Sequence, residues 1–206
     1  MKAHIRLALV AAMAFAVVTP AAAWKLVKPG EQIIVGKTSM VITAPAEWNR
    51  VTWGPIKGSE QWTLDGIALN ELYAAGDIQS GKPLLTEFNK KDNPLPKFAS
   101  TMQLADLPDL FERTWRVGRN AVVFTTSKIE PVKMGGSDAV RIHYDYVRDG
   151  SNLKYKGVAT AAIVHDQLQL IVFEAPALFY FERDNAKAAA LMDNVSFRVM
   201  PIAKPS

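Results

Sequence analysis

Between Ala139 and Phe197 the chain alternates, turns, alternates again and then changes period, and this stretch limits the fold more than any other. Val140, Ile142, Tyr144 and Tyr146 alternate with Arg141, His143 and Asp145, the period of two of a strand with one strongly apolar face. Asp149-Gly150-Ser151-Asn152 breaks the run, and because Asp-Gly and Asn supply the positive-φ positions of a hairpin, Leu153 to Val164 reads as an antiparallel partner. His165-Asp166-Gln167 makes a second turn. Leu168 to Ala175 (LQLIVFEA) is apolar on both sides, as in a central strand covered on both faces, and Pro176 ends it. Leu178, Phe181, Ala188, Met192 and Val195 then share one helical stripe, with Asn185 as its polar member and Glu182, Arg183, Asp184 and Lys187 away from it. Such a helix must lie on the sheet.

The N-terminus carries a different message. Lys2 and Arg6 precede an uninterrupted apolar run from Leu7 to Val18, followed by Thr19-Pro20-Ala21-Ala22-Ala23. A basic start, a short apolar core and small residues at Ala21 and Ala23 predict a secretory signal peptide over residues 1–23, cleaved before Trp24. The protein is then periplasmic or secreted and not an integral membrane protein after cleavage. No cysteine follows the run, or occurs anywhere in the chain, so lipid attachment there, disulfides, thiolate chemistry and most structural zinc sites are excluded. Part of the formal charge of +4 belongs to Lys2 and Arg6, and the remaining basic residues are unclustered, so no nucleic-acid partner is inferred. The chain after Ala23 is of a size for a single domain over residues 24–200, with a disordered tail over 201–206.

Trp24 to Pro29 reads as an extended lead-in, and Glu31 to Val35 with Ser39 to Ala44 as a hairpin joined at Gly36-Lys37. From Trp48 to about Leu85 the apolar residues are dense but fit neither period cleanly, and Gly54-Pro55, Gly58, Gly66 and Gly76 favour short strands. Lys90 to Pro94 marks an exposed loop. Leu107, Leu110, Phe111, Thr114 and Trp115 share a helical face opposite Asp109, Glu112, Arg113 and Arg116, with Asp106 as expected cap and Gly118 as expected end. Ala121 to Glu130 is strand-like, and Lys133 to Ser137 reads as a flexible connection. The expected fold is α+β: a mostly antiparallel sheet with two amphipathic helices packed on it, as an α/β/α or two-layer sandwich.

In Met40 to Trp48 (MVITAPAEW), in Gly136 to Tyr146 (GSDAVRIHYDY) and in LQLIVFEAP before the terminal helix, the chain resembles the PsbP-like family, which includes the Mog-type Ran-binding proteins and bacterial envelope relatives. The resemblance covers about half of the chain after Ala23 and rests on core patterns rather than site motifs. The tryptophan-rich segment 48–97 departs from the family as a longer insertion. The resemblance implies a non-enzymatic accessory or protein-binding module of the cell envelope, with an envelope protein as partner and no cofactor; fold alone does not choose that partner.

Chemistry is sparsely signalled. There is no G-x-S-x-G, no G-x-G-x-x-G and no Walker pattern, and after Ala23 only His143 and His165 could serve as a catalytic base. An unrecognised hydrolase using a carboxylate pair is a remaining alternative. His143 and Asp145 share a strand face and His165 could add a third metal ligand, against the simpler reading of cross-strand polar pairs and an exposed turn. Trp24, Trp48, Trp53 and Trp62 crowd the start of the chain after Ala23. Indoles on irregular segments line grooves or anchor interfaces, so Trp48, Trp53, Trp62 and Tyr73 are the candidate ligand- or partner-binding residues, the alternative being that they fill the core. A small-ligand carrier with a groove beside this segment is therefore the second functional expectation.

Overall fold

The computed structural model describes residues 24–52, 58–87 and 91–199; the expected signal peptide, Trp53 and the expected tail over 201–206 lie outside the described residues. In chain order the elements are β1 (Trp24–Val27), β2 (Gln32–Ile34), β3 (Met40–Thr43), β4 (Trp48–Val51), β5 (Ser59–Thr63), β6 (Glu71–Ile78), α1 (Leu107–Gly118), β7 (Ala121–Met134), β8 (Ser137–Arg148), β9 (Lys154–Val164), β10 (Gln167–Pro176), α2 (Tyr180–Asp193) and β11 (Val195–Phe197). Eight strands form one sheet in the order β1-β4-β5-β6-β10-β9-β8-β7, and β11, β3 and β2 form a small second sheet. Strand pairing is antiparallel throughout the large sheet, so the fold is α+β with two helices.

The run LQLIVFEA becomes β10, in the middle of the sheet between β6 and β9. Leu168, Leu170 and Val172 join the apolar cluster that holds Leu107, Leu110, Phe111 and Trp115 of α1. Ile171, Phe173 and Ala175 join the cluster that holds Phe181, Ala188, Leu191 and Met192 of α2. A run apolar on both faces, with Gln169 and Glu174 as its polar members, is what a strand covered by a helix on each side requires. Each of these large side chains contributes about 1.5–3 kcal/mol by leaving water. The meander from β7 to β10 follows the expected alternation, with His165 and Asp166 at φ 50° and 60° turning β9 into β10.

Five local expectations change. Lys133 to Ser137 is no flexible connection: Gly135 and Gly136, at φ 56° and 86°, form a two-residue turn that lets the ladder run from Met134↔Ser137 onward. Val195 leaves the helical stripe and enters β11, where it pairs with Ile42 of β3. Leu178 precedes α2 and is 91% exposed, while Asp184, which the wheel puts on the polar side, is fully buried because it serves a hydrogen-bond network rather than solvent. Asp106 precedes α1 but makes no side-chain cap on it; its Oδ2 accepts from the Gln103 N–H at 2.8 Å instead.

The segment from Trp48 to Lys97 supplies β4, β5 and β6 of the large sheet. Strands of four and five residues leave too few turns of the period to read, and buried Ser59, Glu60 and Glu71 interrupt the apolar pattern. Among the described residues no helix is long and apolar enough to cross a membrane.

Candidate functional site

The aromatic residues singled out in the sequence separate into different environments. Trp48 and Trp62 are 1% and 0% exposed in the α2-side core, Trp48 edge-on to Phe173 at 6.3 Å between centroids. Trp24 is 38% exposed on the edge strand β1. Tyr73 is buried on β6 in the α1-side core, its hydroxyl donating to the Leu84 carbonyl at 2.9 Å, and burial pushes that hydroxyl well above its ordinary range. The four candidates therefore do not converge on one groove: Trp48 and Trp62 are core on one side of the sheet, Tyr73 lies on the other, and Trp53 is outside the described residues.

His143, Asp145 and His165 do not converge either. His143 Nε2 lies 2.9 Å from Glu130 Oε1 on β7, Asp145 pairs with Lys154 at 3.0 Å, and His165 is exposed in its turn. Among the described residues no group of three His, Cys, Asp or Glu side chains could hold a metal ion.

A polar centre that the sequence reading missed sits under α1. Glu174, 3% exposed in mid-sheet, accepts from Trp115 Nε1 at 2.9 Å, Tyr144 Oη at 3.0 Å and Tyr146 Oη at 3.0 Å. Arg119, just past the end of α1, bridges it to Glu71 directly opposite on β6: Nε lies 2.9 Å from Glu174 Oε1 and Nη2 donates to Glu71 Oε2 at 2.9 Å. Burial raises the Glu71 carboxyl above its ordinary range, Arg119 opposes this and Glu174 adds to it. For Arg119 burial works against the charge, but Glu174 and Glu71 outweigh it and hold the guanidinium firmly protonated. Tyr144 and Tyr146 are likewise raised, by burial first and by Glu174 second. Both carboxylates of this centre are paired with Arg119, and the centre ties α1 to three strands; its chemistry is cohesion. A glutamate inside LQLIVFEA was the signal that could have disclosed it.

On the other side of the sheet, α2 opens onto a charged pocket of about 370 Å³ lined by Leu26, Trp48, Leu64, Asp65, Arg183 and Asp184, among others. Asn70, 1% exposed, organises its floor: Oδ1 accepts from Thr63 Oγ1 and the Leu64 N–H, both at 2.7 Å, and Nδ2 donates to Asp65 at 2.7 Å and to Asp184 at 3.1 Å. Arg183 pairs with Asp65 and donates to Asp184 at 2.6 Å, while its guanidinium lies 5.3 Å from the Phe179 ring and 5.2 Å from that of Tyr180. Burial raises the Asp65 carboxyl, but hydrogen bonds from Arg183 and Asn70 outweigh it and hold it below its ordinary range. Beside this ion cluster Phe179 and Leu26 stand 58% and 46% exposed, and Leu178, next to Phe179 in the chain, is 91% exposed.

A second opening, a cleft of about 660 Å³, lies on Tyr73's side between β6 and the chain that follows it. Tyr73, Ala75, Leu84 and Leu85 give it apolar walls, and Lys37 and Lys82 stand at its rim.

The architecture has known counterparts. The solution structure of cyanobacterial PsbP (CyanoP) from Synechocystis sp. PCC 6803 superposes with a TM-score of 0.51 at 14% identity, covering 90% of this chain and 99% of that one. The chain has a PsbP-like fold. At such identity the likeness shows the fold alone. A protein of unknown function from Pseudomonas aeruginosa (TM-score 0.46, 11% identity, 85% of this chain and 98% of that one) is more distant. So is LpqN, described as involved in cell envelope biogenesis of Mycobacterium tuberculosis (0.36, 12%, 85% and 92%). No family model matches the chain, and no curated protein sequence matches it significantly.

Proposed function

We propose that the protein is an exported, non-enzymatic accessory module that binds another envelope protein through the surface around Arg183. The observation that carries this reading is exposed Leu26 lining a pocket together with Arg183, whose guanidinium lies 5.3 Å from the exposed Phe179 ring. Aromatic and arginine side chains surrounded by polar groups are the composition of interface hot spots, and a contiguous exposed apolar patch is costly unless a partner covers it. Export is supported by the basic, apolar and small-residue pattern before Trp24. A photo-crosslinking amino acid at Leu178, in cells, is expected to trap one discrete envelope protein, and the same probe at Arg113 on the outer face of α1 is expected to trap none. Equal patterns from both positions, or no adduct from Leu178, would refute the assignment.

A second reading, a small-ligand carrier, is favoured by the cleft beside Tyr73. Its volume falls within the range of small-molecule sites, roughly 300–1,000 Å³, and its walls are mainly apolar.

A further inference from the structure

The cleft beside Tyr73 has an uneven distribution of free charge. Two acids line it, and both are engaged in holding its walls. Asp77 accepts from the Ser39 N–H at 2.7 Å, from Ser39 Oγ at 2.5 Å and from Gln169 Nε2 at 2.9 Å, and Glu87 Oε1 accepts from the Leu95 N–H at 3.1 Å. Lys37 and Lys82 are exposed and, among the described residues, form no ion pair. The outer wall is tied down: Gly81 N–H donates to the Phe98 carbonyl at 2.7 Å, Phe98 N–H to the Lys82 carbonyl at 2.9 Å, and Leu84 and Phe98 are buried behind it.

From this we infer that the cleft binds a single-chain fatty acid, the carboxylate at Lys37 and Lys82 and the alkyl chain along Tyr73, Ala75, Leu84 and Leu85. The inference deepens the small-ligand reading and rests on it. A fixed apolar wall rewards an alkyl chain, whereas two uncommitted ammonium groups with no free acid beside them reward an anion and repel a cation. Tyr73 keeps its hydroxyl turned to Leu84 and is 4% exposed, so it backs the wall rather than offering a polar contact.

Titration calorimetry on the chain from Trp24 onward, with sodium dodecanoate below its micelle concentration, tests this against dodecanol, dodecyl phosphate and dodecyltrimethylammonium. Dodecanoate is expected to bind saturably at one site, about tenfold or more tighter than decanoate, since each methylene is worth about three- to fourfold. The K37E/K82E double variant, changed only at exposed positions, is expected to weaken dodecanoate about tenfold while leaving dodecanol unchanged. Equal affinity for all head groups, an indifferent double variant, or tighter binding of dodecyl phosphate than of dodecanoate would overturn the fatty-acid assignment and leave the carrier reading standing. Absence of binding by all four amphiphiles would remove both.

Discussion

Replacing Arg119 by methionine probes the polar centre most directly. Arg119 stands between two buried carboxylates, 2.9 Å from each, and Glu71 and Glu174 occupy opposed positions on β6 and β10. Methionine keeps much of the packing against α1 but leaves the two acids facing each other with only the more distant Arg148, 3.7 Å from Glu174, as a cation. Breaking a buried pair by removing one partner costs about 3–5 kcal/mol, of a total stability of about 5–15 kcal/mol for a domain. Glu174 retains its donors from Trp115, Tyr144 and Tyr146, so the proton goes to Glu71, whose carboxyl is already raised by burial and loses Arg119's opposition. A raised carboxyl binds a proton in the folded state that the unfolded chain has released, so stability is greatest below the ordinary glutamate range and falls as pH rises through the raised value. The variant should therefore recover up to about 1.4 kcal/mol per pH unit on acidification within that window. Urea denaturation followed by tryptophan fluorescence, in which Trp115 reports the centre itself, measures both quantities. A loss below about 1 kcal/mol, or a loss independent of pH between neutral and mildly acidic buffer, would refute the electrostatic account.

Three further substitutions test other contacts. Gly157 faces Tyr144 across the β8–β9 ladder, and an added Cβ would lie 2.7 Å from Tyr144 Cε1 and closer still to its hydroxyl end. Because Tyr144 is fully buried among Phe111, Phe124 and Tyr146, Gly157→Ala is expected to cost about 2–4 kcal/mol by overpacking and loss of the Glu174 hydrogen bond, and nearly nothing in a Tyr144→Leu background. Trp62→Ala is expected to cost about 3–5 kcal/mol in chemical denaturation, as a core residue does; a stable, folded variant would return Trp62 to the list of binding residues. Arg183→Met removes the partner that keeps the Asp65 carboxyl lowered, a contribution present above the ordinary aspartate range and lost as pH falls through the lowered value, so its destabilisation should be larger at neutral pH than in strong acid.

The parts of this fold that could be read from sequence are those where one face of an element meets one environment. Strands β8 to β10 were legible because ten or more residues carry the alternation or the apolar run, and α1 because Leu107, Leu110, Phe111, Thr114 and Trp115 are the residues it buries. Legibility failed where burial and polarity coincide. Asp184 is charged and wholly buried, since Asn70 and Arg183 satisfy it, and a helical wheel cannot see a partner 114 residues away. Glu71 and Glu174 are strand residues whose justification is Arg119, contributed by a helix end distant in sequence. Of the described candidate binding residues, Trp48 and Trp62 are core, Trp48 backing the pocket beside Arg183 and Tyr73 bordering the larger cleft, because tryptophan density reports apolar burial as readily as it reports an interface.

The two ends of the large sheet differ in a way that bears on the proposed docking surface. An unprotected sheet edge invites pairing with any extended chain, and long edges are the more dangerous. The β7 edge is fourteen residues long and carries Val122, Val123 and Ile129 exposed, yet it is defended: Pro131 offers no N–H, Lys128 and Lys133 project charge, and register shifts near Ala121/Val123 and Thr126/Lys128 break its regularity. The β1 edge has four residues, Trp24–Val27, with Trp24 and Leu26 exposed, Lys25 between them, and neither proline nor register shift in its pairing with β4. Defence is thus concentrated on the edge remote from Arg183, while the lightly defended edge borders the pocket that Leu26 shares with Arg183. A partner strand laid along β1 would meet Leu26 and the Arg183 cluster together, whereas one approaching β7 would meet lysines and a gap in the donors. The proposed association at the first edge and resistance to aggregation at the second would be compatible in one sheet because the two edges lie at opposite ends of it.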